Sequence, residues 1–331
     1  MAMKTMKYYI MLLIWAVAAA SCDPDGVDCA KFDVTVLNGG TVTAGQDAVF
    51  LFNGNADYLT FYSGCPENNY DNRNRTEAEL TALKMSCTIR QQYNDRDYLN
   101  REIFFIYLST DFSGIYTPEE ISKATWVPIS GKEYHRLPIP VPTSASPVET
   151  SGNIDLSTYV GLEQNFYIAF LYKAPGRASI PQSNGGGRYT NRPRIDVSNL
   201  NMLKLTADGQ EVNLDNAVTG WGFRPVYQQS VNNKNYQVND NGLLFQPQKA
   251  EVDATTGREP DETVWMVSTL IRPKAVEPDR GTAIKSMEAN LSSYAYTYKT
   301  PGTYTATFVA TNANLWNGNQ IVKQVTVNVI P

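Results

Sequence analysis

Histidine is nearly absent from the sequence, which contains only His135 in its 331 residues. A zinc site made of paired histidines is therefore excluded, and a Ser-His-Asp triad would have to use this one residue. His135 lies in "GKEYHRLPIP", a segment bounded by proline that carries no nucleophile motif. The sequence predicts a loop histidine, no catalytic residue, and a protein that is not an enzyme.

Clusters of positive charge are also missing. The formal net charge is −5, and no run of lysine and arginine resembles a nucleic-acid footprint, so we expect no nucleic-acid partner. The glycines of "NGGGRY" are not followed by Lys-Ser or Lys-Thr, which excludes a phosphate-binding loop. Hydrophobic residues make up 42% and charged residues 18%, a balance typical of a folded chain with a packed core.

The longest apolar run at the N-terminus, Tyr8 to Ala20, is too short to span a bilayer. Lys4 and Lys7 precede it and Cys22 follows it, which is the order of a secretory signal peptide. The segment resembles a bacterial lipoprotein signal, and the resemblance implies cleavage after residue 21 and a lipid anchor on Cys22. An ordinary signal peptide cleaved near Ala20 is the alternative.

Acidic residues follow the expected anchor at once, at Asp23, Asp25 and Asp28 in a tether of residues 22–28. They resemble the surface-export signal of Bacteroidota lipoproteins, which implies a protein on the outer membrane that faces outward. A solvated tether rich in Asp, Pro and Gly is the alternative interpretation.

Cysteine is limited to four residues, of which Cys29, Cys65 and Cys87 remain after the anchor. An exported compartment permits disulfides, but three is odd, so at least one thiol stays unpaired within the chain. Cys65 and Cys87 bracket a loop-like region and are the pair we expect.

Alternating tyrosine, threonine and valine at both chain ends predict β-strands. Residues 285–331 supply about three strands, too few for a sandwich, and residues 29–72 supply the complementary ones. "TVTAGQDAVFLFNGNADYLTFYSG" and "YAYTYKTPGTYTATFVATN" resemble the two halves of a polycystic-kidney-disease (PKD) type domain. We therefore expect an all-β protein in which residues 29–72 and 285–331 form one immunoglobulin-like sandwich.

Residues 73–284 would then be a large insertion, which chain ends lying close together at a surface allow. Its order "STDFSG", "ATW", "NIDLS", "FYIAFLY" and "IDV" is similar to the jelly-roll domain inserted in a family of Bacteroidota surface lipoproteins. The same family carries "FYSG" and "R-N-R", matched here by Phe61–Gly64 and Arg73–Arg75. The resemblance implies association with Sus-type (starch-utilisation-like) outer-membrane importers.

Tryptophan offers a flat surface on which a sugar ring can stack. Trp126 and Trp265 lie in strand-like runs, so we expect them in the core. "AVTGWGFRPVYQQ" sets a second group of aromatic and polar residues amid Gly, Pro and Gln, and Trp316 lies in an Asn-rich hairpin loop. The predicted ligand-binding residues are Trp221, Phe223, Arg224, Tyr227 and Trp316.

Two carboxylates at expected strand ends, Asp111 and Asp155, suit a structural Ca²⁺ ion; no other cofactor is expected. Turn and cap hydrogen bonds by the same carboxylates are the alternative.

The sequence as a whole predicts a surface lipoprotein that binds a glycan and passes it to a Sus-type importer. A peptide-binding or structural subunit of such an importer is one alternative. A glycoside hydrolase with two distant carboxylates is another.

Overall fold

The computed structural model describes residues 26–331 except 55, 95, 134, 177–179, 182–186, 189–191, 214–220, 231–234, 241, 248–253 and 256. The signal segment and Cys22 therefore lie outside the described residues. The described chain is nearly all β, as predicted. Among the described residues, 26–76 and 277–331 form one compact unit and those within 77–276 form another. Among the described residues, no helix is long and apolar enough to cross a membrane.

The smaller unit contains eight strands from both ends of the chain. They are β1 (Phe32–Val36), β2 (Thr41–Thr43), β3 (Asp47–Gly54), β4 (Tyr58–Tyr62), β18 (Thr282–Lys285), β19 (Ser293–Thr297), β20 (Gly302–Ala313) and β21 (Gly318–Ile330). One sheet has the order β1-β3-β19 and the other β18-β4-β20-β21-β2. The two chain ends pair directly, because β3 is antiparallel to β19, β4 is antiparallel to β20, and β2 is parallel to β21.

Alternation along these strands builds the smaller unit's core. In β3, Ala48 and Phe50 point inward and are fully buried, whereas Asp47 and Leu51 point outward. Phe50 meets Phe308 of β20 with ring centroids 5.0 Å apart, so aromatic packing joins the two sheets. The strands expected within residues 29–72 are present as β1, β3 and β4, beside the short β2.

The larger unit contains the remaining strands. They are β5 (Leu80–Gln92), β6 (Phe104–Ser109), β7 (Val127–Pro128), β8 (Val148–Asp155), β9 (Tyr167–Ala174), β10 (Ile180–Pro181), β11 (Gly187–Arg188), β12 (Arg194–Thr206), β13 (Glu211–Asn213), β14 (Arg224–Gln229), β15 (Tyr236–Asn239), β16 (Gly242–Phe245) and β17 (Glu262–Val267). Sheet I has the order β15-β16-β12-β5-β8 with β13 on β12, and sheet II has the order β14-β17-β9-β6-β7. Most connections cross from one sheet to the other, as they do in jelly-roll sandwiches.

Among the residues that the structure describes, helical structure is limited to short segments. The α-helix α1 spans Pro118–Lys123, and single 3₁₀ turns occupy Leu37–Gly40, Tyr70–Asn72, Arg96–Tyr98 and Leu156–Thr158. Thr117 caps α1, since its hydroxyl accepts the N–H of Glu120 at 3.3 Å.

The "FYSG" motif requires its glycine for a steric reason. Gly64 has φ +79°, and a Cβ at this position would lie 2.7 Å from the carbonyl oxygen of Thr305. Ser63 beside it accepts, through its carbonyl oxygen, the buried hydroxyl of Tyr298 at 2.9 Å. The motif therefore fixes the chain where it leaves β4.

The "R-N-R" motif stabilises the same stretch of chain, which follows β4. The guanidinium carbon of Arg73 lies 3.9 Å from the ring centroid of Tyr70, and Tyr70 packs edge-on against Tyr62. Arg75 lies 3.7 Å from the carboxylate of Asp279, which also accepts the N–H of Asn69. Both motifs that carry the family resemblance thus act structurally in the smaller unit.

Candidate ligand-binding face

Four aromatic side chains form a continuous strip on the outer face of sheet II; we call it the aromatic band (Phe105, Tyr107, Trp126 and Trp265). Neighbouring ring centroids are 6.4 Å apart between Phe105 and Tyr107, 5.5 Å between Tyr107 and Trp265, and 5.2 Å between Trp265 and Trp126. These spacings lie in the range of favourable aromatic pairs. Phe105, Tyr107 and Trp126 are half-buried, so part of each ring faces solvent.

Strand alternation places the band outside the main core. In β6, Phe104 and Ile106 point into the space between the sheets and are buried there, which turns Phe105 and Tyr107 to the outer face. Trp265 of β17 and Phe105 both pair with Leu171 of β9, so the three residues form one row across the sheet.

The loop between β6 and β7 covers one end of this face. Phe112 and Ile121 from the loop pack on the outer surface of sheet II and create a small second core there. Trp126 closes the loop, because its indole N–H donates to the carbonyl oxygen of Ile121 at 2.9 Å. The ring of Trp126 is therefore held in place before any ligand binds, which lowers the entropic cost of binding.

Polar groups flank the aromatic band. The indole N–H of Trp265 donates to the side-chain oxygen of Gln228 at 3.1 Å, and Gln228 is exposed. Arg224 is also exposed and lies with its guanidinium carbon 4.9 Å from the ring centroid of Tyr116. Aromatic rings beside an amide and a guanidinium match a sugar, which has an apolar CH face and hydroxyl groups around its edge.

The phenol groups here stay protonated at neutral pH. Burial raises the pKa of Tyr107 above its usual value. Burial also raises the pKa of Tyr116, and the nearby positive charge of Arg224 opposes that rise. Tyr116 uses its hydroxyl to donate to the carbonyl oxygen of Ser268 at 2.9 Å.

The outer face of sheet I differs sharply in chemistry. In β5, inward Met85 and Ile89 are fully buried, whereas the outward positions include Lys84, Thr88 and Arg90. Such a face needs no cover and is typical of a solvated sheet. The outward positions of β5 carry no aromatic side chain, unlike the outer face of sheet II, and exposed aromatic surface of this kind marks binding sites.

The predicted platform at Trp221 is wrong. Trp221 is only 3% exposed and belongs to the core between sheets I and II. Its ring centroid lies 5.9 Å from that of Phe223, which is also buried and packs on Phe170 at 5.6 Å. The Gly and Pro residues around Trp221 made it resemble a surface residue. In the structure, the rings of Trp221 and Phe223 both fill the main core between the sheets.

Only one member of the predicted cluster reaches the outer face. Tyr227 is half-buried against the main core and packs on Tyr236 at 5.8 Å, whereas Arg224 lies on the side of the aromatic band. Successive residues of β14 point to opposite faces, so Arg224 and Tyr227 cannot act on one ligand. Trp265, which we expected in the core, is buried, but in the second core outside sheet II and not between the sheets, and Trp126 is half-buried against the same cluster.

Trp316 is 72% exposed, at the tip of the β20–β21 hairpin. Its role as a ligand-binding residue stays a prediction, although its exposure meets the first requirement for one.

The expected disulfide is not formed. Cys29, Cys65 and Cys87 are all free thiols. Cys65 lies near the hydroxyl of Tyr296, with the oxygen 3.9 Å from the sulfur, and Cys87 is buried in the core of the larger unit. Burial raises the pKa of Cys87 to about 12, which makes it an inert core thiol. The loop-like region between Cys65 and Cys87 contains the start of β5, which carries Cys87 inward.

The two carboxylates considered for Ca²⁺ act as local caps. Asp111 accepts the backbone N–H of Thr125 at 2.8 Å and the hydroxyl of Ser109 at 2.8 Å, and the hydrogen bonds from Thr125 lower its pKa. Asp155 accepts the backbone N–H of Ser157 at 3.0 Å and its hydroxyl at 2.6 Å. Across the described residues, no three His, Cys, Asp or Glu side chains cluster as metal ligands would.

His135 lies in an exposed loop, as its sequence context predicts. It lines an open pocket of about 380 Å³ together with Lys132, Glu133 and Arg136. Arg136 and Glu133 form an ion pair of 2.8 Å at this pocket.

Two further carboxylates share one cation inside the larger unit. Arg192 lies 2.9 Å from Glu262 and 3.6 Å from Glu259, and all three side chains are almost fully buried. Tyr236 and Ser230 donate their hydroxyls to Glu262 at 2.7 Å and 2.5 Å. The ion pairs and the two hydroxyl donors tie distant parts of the larger unit together, although the Nε of Arg192 has no hydrogen-bond partner among the described residues, so we assign the cluster a structural role.

These features define an all-β protein of two sandwich units, one of which carries an aromatic band on an outer sheet face. Residues 21–221 match the family described as a domain of unknown function (DUF5017), and the chain belongs to that family. No curated protein and no solved structure matches the chain.

Proposed function

We propose that the protein is an outer-membrane surface lipoprotein that binds a glycan on the aromatic band of sheet II and passes it to a Sus-type importer. The observation that carries this proposal is the aromatic band itself, with Gln228 and Arg224 beside it. Three members of the band, Phe105, Tyr107 and Trp126, are half-buried and partly open, whereas Trp265 is buried at 8% exposure and packs against two of them. The lipoprotein signal and the resemblance to importer-associated lipoproteins support the location and the partner.

Stacking of sugar rings on the aromatic band should supply most of the binding free energy. By analogy with aromatic stacking of nucleic-acid bases, one sugar ring on one side chain contributes about 1–3 kcal/mol. Since 1.4 kcal/mol corresponds to a factor of ten in affinity, loss of one ring should weaken binding roughly tenfold or more. Hydrogen bonds from the amide and the guanidinium to sugar hydroxyls would then decide between glycans.

The direct test is binding to a panel of polysaccharides by affinity electrophoresis and calorimetry. We expect Trp126→Leu and Tyr107→Leu to weaken binding of the recognised glycan about tenfold, because each keeps apolar volume but loses the ring. Tyr58→Leu is the matched control, since Tyr58 is exposed on a strand of the other unit. Equal affinities for all three variants would refute the aromatic band as the site.

The same panel separates the other interpretations. Release of reducing sugar by the purified protein would favour a glycoside hydrolase over a binding protein. Binding of peptides with no binding of any glycan would also overturn the proposal. Co-purification of a Sus-type importer from membranes in mild detergent is the expected result for the partner, and repeated recovery of the protein alone would contradict it.

A further inference from the structure

The tip of the β20–β21 hairpin exposes two large apolar side chains next to each other. Leu315 is 84% exposed and Trp316 is 72% exposed, the two highest values among the large hydrophobic residues that the structure describes. From Asn312 to Val322 the sequence contains no ionisable side chain. An uncharged, polar turn carrying one Trp and one Leu is the composition found where a protein meets the interfacial region of a bilayer.

The tip is a rigid turn. The side-chain oxygen of Asn314 accepts the backbone N–H of Trp316 at 2.9 Å and that of Asn317 at 2.7 Å, and the N–H of Asn314 donates to the carbonyl oxygen of Asn317 at 2.9 Å. Leu315 and Trp316 therefore stay outward because the turn satisfies its own backbone groups.

The same hairpin holds the start of the folded chain. Asn319 accepts the N–H of Ala30 at 2.5 Å through its side-chain oxygen and donates to the carbonyl oxygen of Asp28 at 3.0 Å. Asn312, which pairs with Asn319 across the hairpin, donates to the same carbonyl oxygen at 3.2 Å. The chain that leads back to Cys22 is thus attached two to three residues below the tip.

These distances place the lipid anchor and the tip within reach of one surface. Six residues separate Asp28 from Cys22, which span about 20 Å when extended. The tip extends about 7–10 Å beyond the rung of Asn312 and Asn319, at about 3.3 Å per residue. A lipid on Cys22 would therefore hold Leu315 and Trp316 close to the bilayer at high effective concentration.

We propose that the hairpin tip, residues 314–317, enters the headgroup region of the bilayer that holds the acyl chains of Cys22, and so acts as a second membrane contact. The proposal rests on the lipid anchor of the proposed function. Two contacts from one unit fix the orientation of that unit on the membrane, which a lipid anchor alone does not. The tip fits a bilayer better than a sugar because it exposes the aliphatic Leu315 beside Trp316, and an aliphatic side chain gains by entering the interfacial region but offers no hydrogen bond to a sugar hydroxyl.

The test uses the lipidated mature protein reconstituted in vesicles of phosphatidylethanolamine and phosphatidylglycerol. The tryptophan emission of Trp316 is obtained as the difference between the unchanged protein and Trp316→Ala. We expect this emission to shift to shorter wavelength in vesicles and to be quenched by lipids brominated in the acyl chain. We also expect its acrylamide quenching to fall at least threefold relative to unlipidated Cys22→Ser protein in buffer.

A control at the far end of the same unit tests specificity. Leu37 is 44% exposed and follows β1, whose start lies two residues after Ala30, the residue that Asn319 binds; β1 is about 17 Å long. In the Trp316→Ala background, Leu37→Trp provides a probe there, and we expect it to remain open to acrylamide in the same vesicles. Equal protection of both probes would overturn the proposal.

The outcomes separate this proposal from the anchor on which it rests. Mass analysis without acyl chains on Cys22 would refute the anchor. Acylated Cys22 with Trp316 still open to acrylamide would refute the tip contact alone. Protection of Trp316 by a soluble glycan, without vesicles, would overturn the membrane contact and support the sugar-binding role that the sequence predicts for it.

Discussion

Replacement of Trp221 by alanine tests whether this side chain is buried in the core, as the structure has it, or exposed as a ligand platform. The side chain is buried between sheets I and II, in contact with Phe223. Truncation of a buried tryptophan to alanine costs about 3–5 kcal/mol of unfolding free energy, because transfer energy is lost and a cavity remains. For a unit of about 200 residues, each kcal/mol lowers the Tm by about 2–4 °C, so Trp221→Ala should lower it by about 6–20 °C.

Two further variants serve as controls for the effect of Trp221→Ala. The indole N–H of Trp221 has no hydrogen-bond partner among the described residues, so Trp221→Phe loses volume but no hydrogen bond and should cost much less than alanine. Trp316→Ala removes an exposed ring and should change the unfolding free energy by less than about 0.5 kcal/mol.

Scanning calorimetry and chemical denaturation on all three variants give the comparison, and the glycan panel on the folded proteins completes it. We expect Trp221→Phe to bind glycan with unchanged affinity, since no part of the ring faces solvent. A Tm within 2 °C of the unchanged protein for Trp221→Ala would contradict the burial, and a selective loss of glycan affinity would restore Trp221 as the platform.

Three other expectations concern backbone strain and thiol chemistry. Gly64→Ala should lower the unfolding free energy by more than about 1 kcal/mol, because φ is +79° and the new Cβ would press on the carbonyl of Thr305. Gly45→Ala is the control, since φ is +83° there but no atom lies near the new Cβ, so only backbone strain is added. Equal losses of unfolding free energy for the two variants in denaturant titrations would contradict the steric argument. Above pH 9 the thiol of Cys87 ionises in the unfolded chain but stays neutral in the folded chain up to about pH 12. The free energy of unfolding should therefore fall by about 1.4 kcal/mol per pH unit between these values. Cys87→Ala should reduce that slope. Three thiols should react with a thiol reagent in denaturant, whereas in the folded protein Cys29 reacts at once and Cys87 does not; a count of one thiol in denaturant would reveal a disulfide.

The fold was predictable in large part because strand alternation and turn residues are local signals. The run from Phe32 to Val36 alternates with a period of two and becomes β1 over the same residues. The strands of the C-terminal segment were too few for a sandwich, and this shortage alone pointed to partners at the other end of the chain. Direct pairing of β3 with β19 confirms that inference.

The candidate binding face was not predictable, because the sequence gives the period of a strand but not which side the fold covers. Trp265 in an apolar run looks like a core residue and is buried, yet its core lies on the outer face of sheet II, where Trp126 is only half-buried. Trp221 among glycine and proline looks like a surface residue, yet it fills the core. The sequence of β6 did contain a signal that the outer face of sheet II is partly covered. Four aromatic or aliphatic residues follow one another from Phe104 to Tyr107, a pattern typical of a strand covered on both faces.

The sequence by itself determined the all-β class, the joining of the two chain ends, and the glycines that turns require, since each follows from the local preferences of a few residues. Only the tertiary structure decided which face of sheet II carries Tyr107 and Trp265 outward, that Cys65 and Cys87 remain free thiols, and that Asn319 holds the segment that follows Cys22. These outcomes depend on contacts between residues far apart in the chain, and such contacts leave no local pattern.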